Sequence, residues 1–141
     1  MNIDKNNISK PKQLIGGERR DKGVLQIFFQ STDSPKRYST GLNGTYDLTL
    51  LDLKVITAAA SAEEYCVEML SDTFHINNGN TNTNFKFMHR NGCPEVPNPV
   101  RFRQAEVRNF VDIDFNRLGS VQDDIDGNAY NILLTFEYER L

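Results

Sequence analysis

Apolar residues in this chain recur at every second position far more often than at every third or fourth, a period that predicts strands rather than helices. Across Val24 to Phe29, Leu25, Ile27 and Phe29 share one face while Val24, Gln26 and Phe28 take the other, so a strand with both faces partly covered is expected. A turn-rich stretch follows through Ser31, Asp33, Pro35, Gly41 and Asn43-Gly44. Thr45 to Thr57 then forms the longest alternating run. Its phase changes midway: Tyr46, Leu48 and Leu50 are in one register, and Leu51, Leu53 and Val55 in the other. A strand that keeps both sets inward needs a bulge near Leu50-Leu51, and a bent strand passing from one sheet toward another supplies it.

Residues 58–70 carry a mixed signal. Ala58 to Ala62 with Glu63 and Glu64 favour helix by propensity, and Ser61 with Glu64 has capping-box spacing. Tyr65, Val67 and Met69 nevertheless alternate with Cys66, Glu68 and Leu70, so a turn and then a strand is the preferred reading. The tract from Asn77 to Asn84 is too polar for core and reads as an exposed loop, and Phe85 with Phe87 marks a short strand. The prolines in Cys93 to Pro99 exclude a helix there. Beyond them Val100, Phe102 and Ala105 form one alternating set, Val111, Ile113 and Phe115 a second, and Ile132, Leu134, Phe136 and Tyr138 the cleanest of all. About eight strands in roughly 120 residues, with no long helix, predict an all-β fold: a two-sheet antiparallel sandwich, specifically a single jelly roll. An immunoglobulin-like framework suits the chain less well, because it has no Trp and its two cysteines are close in sequence.

Composition bounds this picture. The 141 residues are 38% apolar, with nine Phe and five Tyr, enough for one domain with its own core. No apolar run has the length of a membrane span, and Met1 to Asn7 lacks the pattern of a secretory signal, so reduced thiols in a cytosolic setting are expected. Charge is unevenly placed. Lys5, Lys10, Lys12, Arg19, Arg20 and Lys22 stand against Asp4, Glu18 and Asp21, so residues 1–22 carry +3 of a chain whose net charge is −3. That segment, with Pro11 and Gly16-Gly17, is expected to be an extended basic arm on a domain spanning 23–141. Lys10, Lys12, Arg19, Arg20 and Lys22 are its candidate assembly residues. With no second basic patch, direct nucleic-acid binding is not expected.

No motif points to catalysis, and no cofactor is implied. Cys66, His75, His89 and Cys93 could be imagined around zinc, but only His89 and Cys93 have the close spacing of a structural site. Asp124-Ile125-Asp126-Gly127-Asn128 resembles the start of a calcium loop, yet Ala129 and Thr135 stand where its glycine and bidentate glutamate belong; a tight turn accounts for it. Asp112 and Asp114, two apart on a strand, read as a solubilising face rather than paired acids. Phosphate loops, dinucleotide fingerprints and nucleophile elbows are absent.

One resemblance adds to this reading. Leu42-Asn43-Gly44-Thr45-Tyr46-Asp47-Leu48-Thr49-Leu50-Leu51-Asp52-Leu53, then Tyr65 to Asp72, then Asn131 to Tyr138, are similar to successive strands of single jelly-roll penton and minor capsid proteins of large icosahedral double-stranded DNA viruses. The patches cover about a fifth of the chain. The resemblance implies a structural protein of the virion capsid, made in the host cell cytoplasm. It would close each vertex as a cyclic homopentamer, arm directed inward, against neighbouring major and minor capsid proteins. The alternative is a carbohydrate- or ligand-binding β-sandwich of lectin type, which usually exposes a coplanar aromatic platform. This chain has no Trp and uses most of its Phe and Tyr at inward strand positions.

Overall fold

The computed structural model describes residues 21–57, 65–78, 81–90, 93–118 and 129–141. These form nine strands: β1 (Lys22–Gln30), β2 (Arg37–Thr57), β3 (Tyr65–Leu70), β4 (His75–Asn78), β5 (Thr81–Asn84), β6 (Lys86–His89), β7 (Val100–Asp112), β8 (Asp114–Arg117) and β9 (Tyr130–Arg140). No helix occurs among the described residues. Every pairing is antiparallel. One sheet has the order β1-β9-β2-β7, a second β6-β3-β8, and β4 with β5 makes a small ribbon.

Alternation along the strands builds the core. In β9, Tyr130, Ile132, Leu134, Phe136 and Tyr138 are all buried, because the strand is central and its inward face meets the other sheet. Phe29 of β1 meets Phe115 of β8 edge-on at 4.9 Å. Phe74 stacks on Phe136 at 4.6 Å, and Phe85 meets Phe102 edge-on at 6.1 Å. The two larger sheets thus share one aromatic-rich core, a sandwich-like arrangement. Each ring so buried contributes about 1.5–3 kcal/mol, with about 0.5–1.5 kcal/mol more for a well-placed aromatic pair.

Strand β2 is long and bent, and its register slips at three places. Against β9 the slip falls between Leu50 and Asp52, where the change of phase predicts it. Tyr46, Leu48 and Leu50 are buried before it and Leu53 after it, while Leu51 is the extra residue and remains 39% exposed. Leu51 therefore does not join the inward set. Against β7 the slips lie between Ser39 and Asn43 and between Tyr46 and Leu48. Residues with positive φ sit at both, Gly41 and Asn109 at the first and Gln104 at the second.

Five further expectations need correction. Gly41 and Asn43-Gly44 belong to β2 rather than to a turn, since bulges against β7 accommodate their backbone. The tract 77–84 is not simply a loop: its ends form the β4–β5 ribbon, paired from His75↔Asn84 to Asn78↔Thr81. The segments around Phe102 and Val111 are one strand, β7, whose alternation is reset by the kinks at Gln104 and Asn109. Val111, Ile113 and Phe115 stay buried but span the passage from the first sheet into the second, leaving Ile113 between β7 and β8. The outer face of β1 is open, with Val24 64% and Phe28 46% exposed.

Candidate functional site

Asp47 is the one buried charged residue among the described residues. Its outward position in β2 would normally face solvent, but the β7 bulge folds over it. Oδ1 accepts the Gln104 backbone N–H at 3.0 Å, and Oδ2 accepts from Arg101 Nη2 at 2.7 Å. The Gln104 bond, and behind it Arg101, holds the carboxyl below its usual range against the opposing effect of burial. This is a clamp that fixes a bulge. A second clamp closes the β1–β2 connection, where the Tyr38 hydroxyl donates to Asp33 Oδ2 at 2.8 Å and accepts the Gln30 N–H at 3.4 Å. Burial, then the bond to Asp33, pushes the Tyr38 phenol above its ordinary range. Both arrangements position backbone and leave no reactive group poised toward solvent.

A groove of about 590 Å³ runs beside β6. Phe85, Lys86, Phe87 and Met88 all line it. Consecutive residues of a strand point to opposite faces, so a groove touched by three successive β6 residues, with Phe85 just before them, follows the strand's edge. The segment around Val96 forms the opposite wall. His89 Nδ1 lies 3.1 Å from Glu95 Oε2 and ties that segment to the strand. Cys66, in register with Met88 across β3 and β6, and Cys93 also line the groove as free thiols.

Of the basic assembly residues, Lys22 opens β1 and its Nζ lies 3.6 Å from Glu139 Oε2, both side chains being exposed. Lys10, Lys12, Arg19 and Arg20 lie outside the described residues, as do the helix or turn at 58–64 and the calcium-like segment 124–128. The zinc arrangement is not assembled: no group of three His, Cys, Asp or Glu side chains suited to a metal occurs among the described residues. His75 Nδ1 is buried without a hydrogen-bond partner, and His89 has Glu95. Asp112 is exposed at the end of β7, and Asp114 begins β8 with Oδ1 accepting the Phe115 N–H at 2.8 Å. Sequence reasoning missed Asp47 and the groove. A bulge in β7, next to β2 in the sheet but five strands later in the chain, buries Asp47, and no local pattern announces that.

Comparison with protein families, curated proteins and solved structures finds no match to this chain. Its surfaces are therefore read on their own chemistry. No helix of the described residues is long and apolar enough to cross a membrane.

Proposed function

We propose that this protein is a structural capsid protein of penton type, a single jelly roll that closes icosahedral vertices as a cyclic pentamer against neighbouring capsid proteins. The strand order supports the jelly-roll part of the reading, and the capsid role rests on the resemblance of residues 42–53, 65–72 and 131–138 to capsid-protein strands. A jelly roll folds a ribbon of eight strands into two facing sheets, 1-8-3-6 and 5-4-7-2. The order β1-β9-β2-β7 fits the first, and β6-β3-β8 fits 5-4-7 of the second. On this reading the connection 31–36 stands in place of strand two, and the β4–β5 ribbon is an insertion between strands four and five.

The role is one of assembly, not catalysis. A cyclic ring needs a heterologous interface, in which one patch meets a different patch on the next copy. The basic arm with Lys10, Lys12, Arg19 and Arg20, which leads into β1 at Lys22, can dock on the acidic body of a neighbour, an attraction that salt weakens. Light scattering tests the reading: five copies of a 16.1 kDa chain give a species of about 80 kDa. Monomers at every concentration, together with a virion map lacking this chain at the vertices, would refute it. A ligand-binding module is the second reading, and the groove beside β6 favours it, since about 590 Å³ is the size of a small-molecule site. Specific hits on a glycan array that vanish on Met88→Lys would support that reading.

A further inference from the structure

We propose that the free edge of β1 pairs, antiparallel and about a two-fold axis at Gln26, with β1 of a second copy of this chain. Among the described residues β1 is hydrogen-bonded on one side only, to β9. From Gly23 to Gln30 it carries no charged side chain, and no proline or bulge interrupts it. Exposed edges are normally blunted by exactly those devices, so a long, uncharged, regular edge is a surface prepared for another strand.

The backbone fixes which residues offer their hydrogen bonds. At the ends of the β1–β9 ladder, Arg140 N–H donates to Asp21 O, and Ser31 N–H donates to Tyr130 O. The register between them is unbroken, so odd-numbered residues of β1 turn their backbone groups to β9 and even-numbered ones turn theirs to the free edge. At one end of that edge Gln30 is already engaged, by Tyr38 and by the Asp33 N–H. The N–H and C=O of Val24, Gln26 and Phe28 find no partner among the described residues.

Self-pairing about Gln26 satisfies them together. It sets Val24 opposite Phe28 of the second copy, Gln26 opposite Gln26, and Phe28 opposite Val24, and each pair exchanges both backbone bonds. Val24 and Phe28, 64% and 46% exposed, then cover each other as apolar cross-strand neighbours. A two-residue slide one way puts Lys22 opposite Phe28, and a slide the other way calls on Gln30, whose edge groups are taken. Charge also allows the contact, because no like charges meet within the paired stretch. The contact is isologous and closes on two copies, so it is independent of a five-fold ring.

The test uses the full chain. Gln26 is exposed, so Gln26→Lys and Gln26→Glu should leave the melting temperature of the fold intact while setting like charges opposite each other on the axis. Wild type should reach twice 16.1 kDa, or a dimer of rings if the pentamer also forms. Each variant alone should lose that doubling by at least tenfold in dissociation constant, and an equimolar mixture of the two should recover it in low salt. A wild-type chain that never doubles overturns the pairing, as does a doubling untouched by either charge or a mixture that fails to recover it. A pentamer that never doubles would refute this contact while supporting the capsid reading, and a charge-sensitive dimer without rings would do the reverse.

Discussion

Asp47→Asn isolates the clamp on the β7 bulge. The amide keeps an acceptor for the Gln104 N–H, 3.0 Å away, but removes its charge and turns a donor toward Arg101, 2.7 Å away. Weakening the charge-assisted backbone bond costs about 1–2 kcal/mol. Arg101 is 56% exposed and can rehydrate, so losing the ion pair adds at most about 1 kcal/mol. The expected loss is therefore about 1–3 kcal/mol, a fall in Tm of about 3–10 °C for a domain of this size. The sign with pH follows from the depressed carboxyl. Its contribution is complete above the ordinary carboxylate pKa of about 4 and is lost as pH falls through the lower folded value. Melting followed by circular dichroism should separate variant from wild type at pH 7 and bring them together in acid. Coincident curves at pH 7, or a gap that persists undiminished in acid, would refute the clamp.

Three other substitutions probe the fold. Leu134→Ala removes a fully buried side chain from β9 and should cost about 2–5 kcal/mol in chemical denaturation; an unchanged midpoint would contradict the inward register. Gly23→Ala would place a Cβ 2.5 Å from the Tyr138 hydroxyl, so the ring must move, and a loss of about 1–3 kcal/mol is expected in the same assay. Gln104→Gly should raise stability by up to about 1 kcal/mol, because a φ of 56° suits glycine better; a large loss would mean that the glutamine side chain matters more than its backbone.

The sequence by itself determined the all-β class, the inward residues of β9 and β1, and the bulge at Leu50-Leu51, because alternation and its change of phase are local properties. It also located β3 despite an alanine-rich lead-in that favours helix. Tertiary structure decided what depends on partners distant in the chain. Val24 and Phe28 are apolar in both the covered and the open case, and only the place of β1 at a sheet edge shows that they face outward. Asp47 reads as a solvent-facing residue until β7, more than fifty positions later, bulges over it with Arg101 and Gln104. The groove beside β6 likewise exists because Val96 is buried and draws its segment alongside the strand, with His89 and Glu95 joining the two walls. Alternation specifies which side of a strand turns inward, but the neighbour on its edge is chosen by the packing of the whole chain.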